Sequence, residues 1–426
     1  MDIAVNIPFP AGPVTGPPKA PTMTSSFYRT AVVLGLLSAI GPFAIDMYLP
    51  ALPAIGADLS AGIGAVQMSL MAFFAALATA QIVYGPISDM VGRKLPIYFG
   101  LVLFAAASIG CALAPNVETL ILFRFLQGLG AAAPLVIPRA IVRDLHTGAD
   151  ATRLMSLLML VFSVSPILAP LGGSLIIAAA DWRGIFLAVT VAGVLGLLLT
   201  FFLLPETRPA AARRESSLRS ALAGYGVLLR DRRFLGLTFI GGFGMASFFT
   251  YLANSSFLLI DHFGLSPMLY SVFFSINAVA FIGAAQFNGM LASRFGLERL
   301  VRSGVLGSAV VMFTLLVITI AGVDRLDVLA VLLFVGYGFL GLVVPTTAVL
   351  ALEDHGAIAG TASALMGTLQ LATGALAILA IGFIVDGTVL PMVEGITLCI
   401  VVSLLLTELT LGRRRSRRAM EISPAE

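Results

Sequence analysis

Apolar stretches of about twenty residues recur along almost the whole chain, separated by short connections rich in Gly, Pro and charge. A helix that crosses a bilayer needs ~20 mainly apolar residues. Runs bounded in this way predict twelve such helices, at approximately 29–50, 65–86, 95–114, 118–141, 153–178, 184–204, 234–256, 268–291, 300–321, 327–350, 360–384 and 393–411. We number these spans 1 to 12. The longest internal polar stretch, 205–233, divides them six and six, into halves at 29–204 and 234–411. The predicted fold class is an all-α polytopic membrane protein with twelve transmembrane helices in two six-helix halves.

Composition agrees with the pattern. The 426 residues are 59% hydrophobic and 11% charged, with mean hydropathy +1.02, whereas a soluble chain carries about 25% charged residues. The first 28 residues are Pro-rich without apolar periodicity and read as a disordered cytosolic tail, with no signal peptide ahead of span 1. Residues 412–426 read as a basic cytosolic tail. Orientation follows from Lys and Arg. If the N-terminus is inside, 22 of the 25 basic residues fall on inner segments, Arg183 and Arg325 lie outside, and Arg124 is within a span. Both termini are therefore expected in the cytosol of a bacterial inner membrane. The arginine-rich linker 205–233 lacks the interleaved aromatics of a nucleic-acid surface and reads as lying on anionic lipid headgroups.

Cys111 and Cys399 sit far apart in apolar runs, which excludes a disulfide framework. The isolated His146, His262 and His355 lack metal-ligand spacing, so no metal is assigned. No nucleophile–base pair or phosphate loop supports an enzyme, and no appended domain supports a sensor.

In the first half, two charges stand a full turn or more inside their spans. Asp46 lies in AIDMYLPALP of span 1 and Arg124 in LILFRFLQGLGAAAP of span 4. A charge in hydrocarbon is costly and by default faces a cavity or a partner. Span 1 runs outward and span 4 inward, and at 1.5 Å per residue both charges fall roughly 6–10 Å below the outer boundary. The expectation is that Asp46 binds protons and Arg124 answers it. Gln127 lies on nearly the same helix face as Arg124, and the small residues from Gly128 through Gly130 to Ala133 admit a close neighbour. In span 5, Pro166 and Pro170 bend the helix, and Gly172 and Gly173 allow close packing.

Between spans 2 and 3 runs GPISDMVGRK, Gly85 to Lys94. Its glycines allow close approach and a sharp turn, and Asp89, Arg93 and Lys94 must be hydrated or paired. Gly289, Ser293 and Gly296 repeat the spacing of Gly85, Asp89 and Gly92 at the matching place in the second half. Duplicated six-helix halves around a midplane site are how many secondary transporters are built.

The decapeptide resembles the signature G-x-x-x-D-x-x-G-R-[KR] of major facilitator transporters. Leu120, Arg124, Gln127, Gly128 and Gly130 are similar to that superfamily's helix 4 signature, in which the arginine is implicated in proton transfer. SPILAPLGGSL resembles the G-P-x-x-G-G signature of drug/proton antiporters, with Ala169 replacing its first Gly and Gly173–Ser174 at its final pair. AIDMYLPALP, RFLQGLGA and VRDL (Val142–Leu145) together resemble the bicyclomycin-resistance (Bcr/CflA) branch. The resemblance implies the pseudo-symmetric major facilitator fold. It further implies a cytosolic gate of Gly85, Asp89, Gly92, Arg93 and Asp144, with an Arg93–Asp144 pair and Asp89 near Gly360 and Thr361. The function it implies is proton-coupled export of small drug-like molecules by alternating access, by a monomer that uses the proton gradient and no cofactor. The alternative is export of a single metabolite such as a sugar or amino-acid derivative. The drug cavity is expected between the halves, from Phe248, Phe249, Tyr251 and Asn254 of span 7, Phe273, Phe274 and Asn277 of span 8, and Tyr337, Met366 and Gln370, because aromatics and Met with few amides suit adaptable apolar binding.

Overall fold

The computed structural model describes residues 25–146, 148–215 and 218–422. The expected N-terminal tail lies almost wholly outside the described residues, as does the end of the basic C-terminal tail. Among the described residues, twelve helices are long and apolar enough to cross a membrane: Phe27–Asp58, Ile63–Val91, Lys94–Ala112, Val117–Leu145, Asp150–Ala179, Arg183–Leu203, Arg232–His262, Pro267–Ala285, Leu297–Ile320, Leu326–Glu353, Ala359–Gly382 and Val389–Gly412. No strand occurs among the described residues.

The expected limits differ where local chemistry intervenes. Span 1 continues beyond Asp46 as a 3₁₀ turn, Leu49–Ala51, and a short helix, Leu52–Asp58. Pro50 and Pro53 remove backbone donors there and break the regular ladder. Span 7 starts at Arg232 because the Asp231 carboxylate accepts from the Arg233 and Phe234 amides, a helix N-cap. Span 8 stops at Ala285, and a separate helix, Asn288–Phe295, follows. Gly92 and Gly296 hold φ of +102° and +84°, a region costly to side-chain-bearing residues. Each turns the chain directly into the next span, at the two places where the sequence repeats.

Small residues let the spans approach. A Cβ at Gly128 would strike the Phe73 backbone of span 2, and one at Gly130 would meet Gly100 and Phe104 of span 3. Span 5 lies so close to span 1 that a Cβ at Gly173 would collide with the Met47 carbonyl. Gly85 differs from this pattern. A Cβ there meets nothing, so the close approach expected of it is absent.

The halves meet along spans 2 and 11 and along spans 5 and 8. Gly64 lies against Gly382, and Thr368 Oγ1 donates to the Ala78 carbonyl at 3.1 Å. Ser271 and Ser275 hydroxyls donate to the Pro170 and Ile167 carbonyls at 2.8 and 3.0 Å. These last contacts lie toward the face opposite the Gly85–Lys94 hairpin. On the hairpin face spans 5 and 8 part, leaving a cleft of about 790 Å³.

Candidate functional site

Arg124 is fully buried, and its guanidinium is held mainly by rings. Its Cζ lies 4.5 Å from the centroid of Tyr48 and 4.4 Å from that of Phe73. Desolvated cation–π contacts of this kind are each worth roughly 2 kcal/mol. Nη1 donates to Gln127 Oε1 at 2.6 Å and to the Ala44 carbonyl at 3.3 Å. Gln127 Nε2 donates to Ser108 Oγ at 2.7 Å, and that hydroxyl donates to the Phe104 carbonyl. Nε and Nη2 of Arg124 have no partner among the described residues.

Asp46 does not complete this set. It is 7% exposed, and Ser165 of span 5 lies beside it without closing a full hydrogen bond. Tyr270 of span 8 is within its electrostatic range. The expected Asp46–Arg124 pair is therefore absent. Successive helix residues turn by about 100°. Ala44 and Tyr48, one turn apart, face Arg124, while Asp46 between them points the other way. Equal depth was right; the direction around the helix was not. Asp46 instead occupies the junction of spans 1, 5 and 8, where the two halves touch.

The hairpin forms a denser network. Arg93 Nε donates to Asp144 Oδ2 at 2.7 Å and Nη2 to Oδ1 at 3.1 Å, a bidentate, charge-assisted pair. Arg93 Nη1 also reaches Asp89 at 2.8 Å and Ser88 Oγ at 2.8 Å. Asp89 is thus tied to its own hairpin. Against Gly360 lies the Arg143 guanidinium, and against Thr361 lies Gly224; the contact expected of Asp89 at that helix start is taken by other groups.

Sequence reasoning missed Glu206, which follows span 6. Its carboxylate accepts from the Arg93 and Lys94 amides at 2.9 and 3.1 Å and from Arg208 N at 3.0 Å. Thr207 Oγ1 donates to Asp144 Oδ2 at 3.1 Å. Burial pushes the Glu206 carboxyl up, but the three amides and Arg213 outweigh it and hold the group below its ordinary value. Glu206 also explains Gly92, since a Cβ there would lie 2.6 Å from Glu206 Oε2. The available signal was an acid beside the exposed amides of a helix start. Nor does this linker simply lie on lipid. Its helix Leu218–Leu228 is anchored by Tyr225, whose hydroxyl donates to the Ile82 carbonyl at 3.2 Å.

Of the expected drug-cavity residues, Phe249, Tyr251, Asn254, Phe274, Asn277 and Tyr337 are buried, whereas Phe248, Phe273, Met366 and Gln370 are half-buried. Phe249 packs on Phe74 in a tilted ring pair, centroids 4.5 Å apart, across the half interface. Asn254 accepts from Gln67 Nε2 at 2.9 Å and donates to the Thr250 carbonyl. Asn277 donates to the Tyr251 hydroxyl at 3.1 Å. Tyr337 is buried against Phe248 and Tyr251. Phe273 packs on the main core and Met366 on a smaller core of the second half. The Gln370 amide nitrogen is buried without a partner. None of these lines the 790 Å³ cleft, whose walls include Arg143, Met155, Met159, Ser163, Ile282 and Gln286.

Residues 34–378 match the Major Facilitator Superfamily. The chain belongs to that superfamily. A Bacillus subtilis protein named as an uncharacterized MFS-type transporter, YdgK, is 38% identical over 85% of this chain and 90% of its own. A bicyclomycin resistance protein homolog of Haemophilus influenzae is 29% identical over 88% and 94%. A multidrug resistance protein of Escherichia coli, MdtL, is 33% identical over 56% and 60%. These relatives agree with the resemblance to the bicyclomycin-resistance branch. Among solved structures, a D-xylose-proton symporter superposes with a TM-score of 0.70 over 90% of this chain and 97% of its own, at 16% identity, a likeness of fold. As a member of this superfamily with twelve apolar helices, the chain is a multi-pass membrane protein.

Proposed function

We propose that this protein exports small drug-like molecules across a bacterial inner membrane in exchange for protons, by alternating access, with both termini and the hairpin in the cytosol. The basic residues gathered on the hairpin side support that orientation. In it, the cleft between spans 5 and 8 lies toward the cytosol. The names of the Haemophilus and Escherichia relatives support drug export.

The observation that carries the reading is the buried Asp46 carboxylate, without a cationic partner among the described residues and at the junction of the halves. A carboxylate so placed is costly to ionise while buried and cheap when water reaches it. Rocking of the halves about this junction would alternate those conditions and so load and unload a proton. Arg124, locked between rings, acts as a fixed positive field within the first half. Arg93, Asp144, Asp89 and Gly92 organise the cytosolic gate. In proteoliposomes with an imposed pH gradient, drug movement by the wild type is expected to follow the gradient, and Asp46→Asn to uncouple it. Gradient-driven transport that persists in Asp46→Asn would remove Asp46 as the carrier.

A further inference from the structure

Span 4 carries two more arginines, one turn apart, that the coupling scheme does not use. Arg139 and Arg143 are both solvent-accessible although they lie within the span. Arg143 forms part of the cleft wall and packs over Gly360 at the start of span 11. Arg139 is about 6 Å deeper along the axis, with its Cζ 5.4 Å from the Phe162 ring of span 5. The charged group that acts on Arg139 is Arg143, which repels it. Neither has an acidic partner among the described residues. Asp144, the next residue, is occupied by Arg93 and Thr207.

The rest of the cleft sharpens the point. Thr152, Ser156 and Ser163 donate their hydroxyl protons to carbonyls of their own helix, at 3.0, 3.0 and 3.1 Å. Gln286 Nε2 donates to the Ile282 carbonyl. The Arg143 guanidinium is therefore the donor left free on the cleft wall, with Arg139 one turn deeper beyond that wall, and the apolar part of the wall includes Met155, Met159, Leu160 and Ile282. Two unanswered like charges near hydrocarbon are costly, and an arginine fork matches a carboxylate, sulfonate or phosphate bidentately.

We propose that this cleft selects cargo with an anionic group on an apolar body, the anion held by Arg139 and Arg143 and the body by the methionines. The proposal rests on the export reading for its biological meaning, but its test is binding alone.

Purified protein in phosphatidylcholine nanodiscs is titrated calorimetrically with 1-naphthaleneacetate and with the uncharged 1-naphthaleneacetamide. The acid is expected to bind at least about tenfold tighter than the amide, equivalent to ~1.4 kcal/mol. Arg143→Gln and Arg139→Gln should each erase most of that preference and leave amide binding unchanged. Arg143→Lys, which keeps the charge, should retain part of it and shows that the site still folds. Arg230→Gln, on the exposed linker, should behave as wild type. Equal or undetectable binding of the two probes by wild type overturns the proposal, as does a preference that survives the double Gln variant. Loss of acid binding in phosphatidylglycerol nanodiscs overturns the cargo assignment and gives the site to a lipid headgroup. Charge preference without gradient-driven transport would refute the export reading and leave the binding site standing.

Discussion

Arg124 donates to the carbonyl of Ala44, two residues before Asp46, yet the two opposite charges do not pair. The arginine is answered by Tyr48, Phe73 and Gln127 within the first half, and the carboxylate faces the second half. A carboxylate locked to an arginine would be held ionised in every state. Separated from it, Asp46 is left to respond to whether water reaches the junction of the halves.

The ring sandwich makes Arg124 intolerant of its nearest chemical relative. Lysine presents a compact, strongly hydrated charge and no planar face. Arg124→Lys is expected to lower stability by about 1–3 kcal/mol, measured as a fall in thermal midpoint in detergent. An unchanged midpoint would show that stacking with Tyr48 and Phe73 contributes little.

Glycines of the motifs should separate into two groups. Gly173→Ala and Gly128→Ala place a methyl against backbone that cannot move freely, and about 1–3 kcal/mol of overpacking is expected. Gly85→Ala meets open space within a helix and should be neutral or stabilising by up to about 1 kcal/mol. Thermal midpoints of the three variants test this, and a Gly85→Ala loss as large as the others would contradict the packing described.

The Glu206 clasp should open in acid. Its folded-state carboxyl titrates below the ordinary value of 4.5, so the stability it contributes is present above that pH. This contribution is lost as pH falls through the lower folded-state value. Wild type should therefore lose stability below about pH 4.5 more steeply than Glu206→Gln. Midpoints recorded from pH 3 to 7 give the comparison, and parallel curves would exclude the clasp as a contributor.

The face opposite the hairpin is sealed in part by Gln67 Nε2, which donates to both Asn254 Oδ1 and the Ala253 carbonyl. Gln67→Ala removes both bonds from one side of the interface only. A net loss of about 1 kcal/mol would move the balance between closed and open arrangements about fivefold. Spin-label distances across this face in the Asn254→Ala and Gln67→Ala proteins should show a larger open population; an unchanged distribution would place the seal elsewhere.

Much of the architecture was legible before any coordinates. The twelve spans, the paired turning glycines Gly92 and Gly296, and the close-packed Gly128, Gly130 and Gly173 all follow from properties of short windows. Hydropathy over twenty residues, the spacing of small residues, and the need for φ > 0 at a sharp turn are local quantities. Even the shared depth of Asp46 and Arg124 follows from helical rise.

What the tertiary structure decided was azimuth and long-range pairing. A change of two residues rotates a side chain by about 200° on a helix, so Asp46 could share Arg124's depth and still face another partner. Glu206 reaches the amides at Arg93 and Lys94 across more than a hundred residues. Phe249, Asn254 and Tyr337 suit an adaptable apolar cavity by residue type, but in the fold Phe249 meets Phe74 and Asn254 meets Gln67 of span 2, and Tyr337 packs on Phe248 and Tyr251. The cleft walled by Arg143, with Arg139 one turn beyond it, appears where spans 5 and 8 diverge. That divergence is a balance of packing between whole halves, and no single stretch of sequence contains it.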